Sequence, residues 1–126
     1  MSNIINTPNA PAPIGPYNQA VWAGNTLFVS GQIALHPQSG ELVLTNIPTE
    51  THQVMANLKA ILTAAGLDFS NVVKTGIFLK DMGDFAVVNE IYGSYFTSNF
   101  PARETVQVAA LPKNVNVEIS VVACKP

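Results

Sequence analysis

The sequence predicts an α+β fold in which a mixed β-sheet carries two helices packed on one face. Three observations lead there. Two segments repeat apolar residues at helical spacing, the other ordered segments alternate with a period of two, and a strand lies between the helices. The order is strand, strand, short strand, helix, strand, helix, strand, strand. Because crossovers between parallel strands are right-handed, both helices fall on the same side of the sheet.

Residues 2–16 hold four prolines and three asparagines and read as an irregular arm ending at Gly15-Pro16. Tyr17–Ala23 and Thr26–Gln32 flank Gly24-Asn25, a hairpin signal with Gly where a type II′ turn requires it. Pairing Ala23 with Thr26 sets Val21 against Phe28, Gln19 against Ser30 and Tyr17 against Gln32, all on one face. Tyr17 is then a diagonal neighbour of Ser30 beside Gly31, where a backbone can approach a ligand closely. His36-Pro37-Gln38-Ser39-Gly40 is a turn before a short strand at Glu41–Leu44.

A helix runs from Pro48 to Ala65. Val54, Leu58, Ile61, Leu62 and Ala65 recur at helical spacing, Pro48 suits a first turn and Gly66 suits the residue after the last turn. Val72–Lys80 alternates around Val73, Thr75, Ile77 and Leu79 as a strand that Gly76 weakens. Asp84 is placed to cap a second helix whose stripe is Phe85, Val88, Tyr92, Tyr95 and Phe96, read as core. Asn89 lies on the flank of that stripe, where an amide needs a partner.

Pro101 extends Phe100, so this helix stops and a strand starts at Arg103. Arg103, Thr105 and Gln107 point one way, Val106 and Val108 the other. After the Leu111-Pro112-Lys113-Asn114 turn, Val115, Val117, Ile119 and Val121 form an apolar row with Glu118 opposite in sense. The short gap before Val115 suggests a final hairpin.

Charged residues make up 11% of the 126 residues, against about 25% in a typical domain. With 48% hydrophobic residues, the chain has too few charges to coat one domain's surface, and a buried homo-oligomer interface is the economical explanation. No apolar run approaches the roughly 20 residues of a membrane span. The N-terminus shows neither a signal nor a transit pattern, so a cytoplasmic protein is expected. A net charge of −2 argues against nucleic acid as a partner. Cys124 is alone and reads as filler, and His36 and His52 have no second ligand at metal spacing, so no metal and no cofactor are expected.

An Arg at the start of a strand and a Glu in the last strand are ordinarily a solvated face or a guard against edge pairing. The residues around them weigh the other way. Pro101-Ala102-Arg103, then Val106-Gln107-Val108-Ala109-Ala110-Leu111-Pro112-Lys113, then Val117-Glu118-Ile119 resemble the signature of the Rid family of enamine/imine deaminases. The resemblance extends through Ile14-Gly15-Pro16-Tyr17, Val29-Ser30-Gly31-Gln32-Ile33, Ala65-Gly66-Leu67, Val73-Lys74-Thr75, Lys80-Asp81, Asp84-Phe85 and Asn89. Each match alone is weak, and their shared order is what makes them specific.

The resemblance implies one Rid-like domain over 1–126 with a chorismate-mutase-like sheet, its last strand inserted antiparallel between earlier ones. It implies a homotrimer with a central β-barrel, helices outside, and sites at the subunit interfaces. By the same resemblance, 2-aminoacrylate and 2-iminobutanoate are hydrolysed to 2-keto acids and ammonia. Arg103 and Glu118 take the catalytic positions, with Tyr17, Ser30, Gly31, Gln32, Asn89 and Thr105 in the substrate pocket. The chemistry of the residues agrees, since an arginine fork binds a carboxylate in two parallel bonds and a glutamate can direct water and shuttle protons. One departure is Thr105, where relatives often carry cysteine. Two further readings are a non-catalytic sensor of 2-keto acids and an RNA-cleaving inhibitor of translation. The latter finds no His pair or basic patch here.

Overall fold

The computed structural model describes residues 3–126. Its strands are β1 (Ile4–Ile5), β2 (Ala20–Ala23), β3 (Thr26–Gln32), β4 (Val72–Leu79), β5 (Ala102–Gln107) and β6 (Val117–Cys124). Helix α1 (Ile47–Ala64) joins β3 to β4, and α2 (Phe85–Gly93) joins β4 to β5. The strands form one six-stranded sheet in the order β1-β2-β3-β6-β4-β5. β4 and β5 are parallel, and β6 is antiparallel to both of its neighbours.

The last two strands are therefore not a hairpin. The Val108 N–H donates to Leu79 O (2.9 Å), and the chain turns through Pro112–Asn114 with Lys113 and Asn114 at φ 54° and 56°. It then crosses the end of β4, where the Lys80 N–H donates to Asn116 O (3.0 Å). Sheet order of this kind depends on contacts distant in sequence, which a gap length does not encode.

The core is the layer between the helices and one face of the sheet. On β6, Val117, Ile119, Val121 and Ala123 are buried in alternation, joined by Leu27, Val29, Ile77 and Leu79 from β3 and β4. Val54, Leu58, Ile61 and Leu62 of α1 and Val88 and Tyr92 of α2 pack on them. Each such aliphatic side chain contributes about 1.5–3 kcal/mol by leaving water. Helix α1 starts where the Asn46 side chain accepts the Thr49 N–H (2.8 Å), with Pro48 in its first turn, and stops at Gly66, whose φ is 78°.

Buried Glu50, in the first turn of α1, is a feature the periodicity does not show. Its carboxylate accepts the N–H groups of Asn116 (2.8 Å) and Val117 (3.0 Å) and the Asn116 side-chain amide (2.7 Å). The helix thereby holds the entry to β6.

Several elements differ from expectation. The arm contributes β1, paired to β2 through Ile4↔Val21 and Ile5↔Ala20. It is pinned by buried Gln19, which accepts from Thr7 N and donates to Thr7 O, Ala10 O and Pro11 O. Glu41–Leu44 forms only an isolated Leu35↔Leu42 bridge, because Asn46 already begins the α1 cap and no length remains for a ladder. The β2–β3 turn keeps the expected register at Ala23↔Thr26 and Val21↔Phe28, with Gly24 at φ 61°. Beyond that, a bulge between Val29 and Gln32 breaks the β3–β6 ladder, β2 begins only at Ala20, and Tyr17 does not pair with Gln32.

A second register shift, between Val72 and Lys74, turns Val73 outward and Val72 inward. Helix α2 ends at Gly93, so Tyr95 and Phe96 pack from the turn beyond it. Asp84 makes no side-chain cap bond, because a single 3-10 turn at Met82–Asp84 precedes α2 and holds Asp84 in helical backbone. Asp81 instead accepts the Gly83 N–H (2.8 Å). Among the described residues, no helix is long and apolar enough to cross a membrane.

Leu58→Ala is expected to lower unfolding stability by about 2–5 kcal/mol. Urea titration at fixed protein concentration measures it, and a loss well below about 1 kcal/mol would show that the helix–sheet layer is not the principal core.

Candidate functional site

Pleating sends Arg103 and Glu118 to opposite faces of the sheet. In the parallel β4–β5 ladder Arg103 lies beside Thr75 and Thr105 beside Ile77, so both project to the helix side. Glu118 pairs with Phe78 and Ser120 with Gly76 on the other face, where Lys74 and Glu104 also meet (3.3 Å). β4 lies between the two strands that carry Arg103 and Glu118. One chain therefore presents two clefts rather than one site.

The first cleft, about 470 Å³, is lined by Asn89, Tyr92, Gly93, Phe100, Pro101 and Arg103. Asn89 reaches it from one turn before Tyr92 on α2, and its Oδ1 accepts from Arg103 Nη1 (2.5 Å). The guanidinium carbon stands 5.5 Å from the Phe85 ring centre and 5.4 Å from that of Tyr92. These rings attract the cation without neutralising it. Among the described residues Arg103 has no ion-pair partner, which leaves its fork free for an anion. Tyr92 donates to Thr75 Oγ1 (3.0 Å), and burial pushes its phenol above the usual range, so it stays a neutral donor. Thr105 Oγ1 is buried, with no hydrogen-bond partner among the described residues.

The second cleft, about 420 Å³, gathers Tyr17, Ser30, Gly31, Gln32 and Glu118 under an apolar wall that includes Ile14 and Leu35. Tyr17 borders this space from the segment before β2, outside the ladder. Ser30 is fixed by donating its Oγ–H to Asn18 O (2.7 Å) and its N–H to Gln19 O (2.9 Å). Gln32 contributes from a buried position, donating its amide to Ser30 O (3.2 Å). A Cβ at Gly31 would overlap Glu118 Oε2, so any larger residue there forces the end of the glutamate side chain to shift. Burial pushes the Glu118 carboxyl above the usual glutamate range. Among the described residues, nothing hydrogen-bonds to its oxygens.

The predicted residues thus separate into Arg103, Asn89 and Thr105 on the helix side and Tyr17, Ser30, Gly31, Gln32 and Glu118 on the open side. The aromatic stripe was read only as core, yet Tyr92 also walls the arginine cleft. Its place three residues after Asn89 was the available signal. The open face also exposes Val21 (40%), Phe28 (52%) and Val106 (44%), an apolar surface next to the Glu118 cleft.

A family model described as Endoribonuclease L-PSP matches residues 7–125. The human protein named 2-iminobutanoate/2-iminopropanoate deaminase is 53% identical over 95% of this chain and 88% of its own length. A protein of the conserved Rid protein family from Yersinia pestis superposes with a TM-score of 0.94 and 46% identity, covering 97% of this chain and 98% of its own. Escherichia coli TdcF with bound serine superposes with a TM-score of 0.93 and 41% identity over 98% of both chains.

The Glu118 carboxyl is expected to titrate above the ordinary value of about 4.3, followed by its side-chain carbon resonance. With its folded pKa raised, the stability it contributes is complete below the unfolded pKa and is lost as pH rises through the folded one. Gly31→Ala must displace the carboxylate and return its titration towards the ordinary value. An unmoved Glu118 resonance in that variant would refute the contact.

Proposed function

The chain belongs to the Rid family, and from that premise we propose that it hydrolyses 2-imino acids to 2-keto acids and ammonia at a site completed by a second copy of itself. The carrying observation is the pair of half-sites. An arginine with no ion-pair partner among the described residues lies in one cleft and a half-buried glutamate in the other, on opposite faces of the sheet.

The Arg103 fork binds the substrate carboxylate in two charge-assisted bonds, each contributing about 1.5–3 kcal/mol. Thr105 is on the same face of β5, but its Oγ1 is buried and it does not line the arginine cleft, so no contact with the carboxylate is assigned to it. Glu118 of the neighbouring copy accepts a proton from water as the water oxygen bonds to C2 of the imine. With the imine entering in its protonated form, the resulting neutral carbinolamine takes that proton back on nitrogen, and as the C–N bond breaks its hydroxyl proton passes to Glu118 and on to water, so that ammonia leaves a carbonyl behind. A carboxyl with a raised pKa suits a group that must accept and return one proton near neutrality. Enamines such as 2-aminoacrylate enter as their imine tautomers. Serine bound to TdcF is a small 2-amino carboxylate and so matches the expected ligand chemistry.

A trimer suits the exposed apolar face of Val21, Phe28 and Val106, which in such an assembly would be the buried interior of the barrel. The endoribonuclease description of the family model points to RNA instead. A net charge of −2 with six basic residues gives little to displace phosphate counterions, so imine hydrolysis is the stronger reading.

Arg103→Ala and Arg103→Lys are expected to lose most imine hydrolysis while staying folded. Keto-acid release, measured while a dehydratase generates the imine, reports it, and near wild-type rates in Arg103→Ala would sink the assignment. In Glu118→Gln, keto-acid binding by calorimetry should persist while turnover falls by roughly 10²–10⁴. Little change in turnover would favour the sensor reading. Sedimentation should give a trimer, and a monomer at micromolar concentration would overturn the shared site.

A further inference from the structure

Among the described residues no hydrogen bond aims the Glu118 carboxylate, so its place depends on the backbone that carries it. That backbone enters β6 through Asn116 and Val117, both of which donate their N–H groups to one carboxylate oxygen of Glu50. The second Glu50 oxygen takes the Asn116 side-chain amide. Asn116 O is meanwhile held by Lys80 N at the end of β4. Glu50 itself is fully buried on α1. Residues 116 and 117 are thus gripped from the helix layer and from the neighbouring strand, one residue before the side chain that needs aiming.

We propose that Glu50 is a positioning residue for the deamination reaction. By fixing the rotation and register at the entry to β6, it holds the Glu118 carboxylate over Gly31 and inside its cleft. This proposal rests on the deaminase reading above. Glu50 touches no cleft residue except through the strand, and it does not line either cleft. An ordinary acidic residue in a first helical turn faces solvent and favours the helix dipole. Glu50 instead spends its acceptor capacity on a strand, so its removal leaves three donors without partners, the buried Val117 N–H and two partly buried ones on Asn116.

The decisive variants are Glu50→Leu and Glu50→Gln. Leucine fills the space and strands the three donors. Glutamine can keep both backbone N–H groups satisfied through its oxygen and remake the third bond in reverse if the Asn116 amide turns over, its nitrogen then donating to Asn116 Oδ1. The expected result is a roughly 10- to 100-fold lower kcat in Glu50→Leu, since small displacements of reacting groups cost rates of that order. Keto-acid affinity should be almost unchanged, and Glu50→Gln should recover most of kcat. Leu58→Ala serves as an equally destabilised control that keeps its kcat per folded molecule. If Glu50→Leu matches this control, with a lowered midpoint of unfolding but full kcat, the residue is merely structural and the proposal fails.

Two readouts hold if that variant does not fold or if the wild type turns over no imine. Amide hydrogen exchange at Asn116 and Val117 in the wild type should occur only through global unfolding, and exchange by local opening would overturn the proposal. In Glu50→Gln the Glu118 titration should stay near its wild-type position, whereas in Asn116→Ala it should move towards the ordinary value. An unmoved titration in Asn116→Ala also overturns it.

Discussion

The insertion of β6 between β3 and β4 is the constraint on which the other features depend. It gives the core a central strand whose alternate residues are all buried, and it pushes β5 to the sheet edge. By placing β4 between β5 and β6, it also fixes the distance and the facing of the two charged residues that a deaminase would need. Pleating does the rest, because a one-residue slip would exchange every inward and outward side chain. The buried Glu50 carboxylate and the bond from Lys80 to Asn116 reinforce this register at the point where the chain enters the strand.

The two clefts solve different electrostatic problems. Arg103 keeps its charge at an exposed position, steadied by an amide and two aromatic faces that do not cancel it. Glu118 is partly withdrawn from water, and among the described residues no donor compensates, so its charged form is held less firmly than in water. A chain poor in charge makes such an arrangement economical, since few other ions are present to occupy or screen either group. Isolation in sequence here corresponds to availability in space.

Much of this was legible in the sequence where the deciding contacts are local. The alternation of Val115, Val117, Ile119 and Val121, the stripe of α1 and the turn at Gly24-Asn25 each follow from neighbouring residues. The antiparallel insertion of the last strand came from family resemblance alone, since the residues by themselves pointed to a hairpin. Bulges were invisible for a similar reason. Ser30-Gly31 and Val72-Lys74 shift register to satisfy partners on β6, and nothing nearby in the sequence announces it. Glu50 was hidden by resembling a routine first-turn acid, and Glu41–Leu44 had strand composition but no room for a ladder. The grouping of Tyr17, Ser30 and Gly31 in one cleft holds although Tyr17 lies before the start of β2, because the predicted register of the hairpin itself is kept.

Gly31 and Glu118 are far apart in the chain yet share one volume of space. The two positions are therefore coupled. A methyl group at 31 forces the flexible end of the acid at 118 aside, whereas shortening that acid removes the obstacle and makes room for the methyl. Substitutions at the two positions are consequently non-additive, since the same change at 31 displaces a carboxylate in one background and nothing in another.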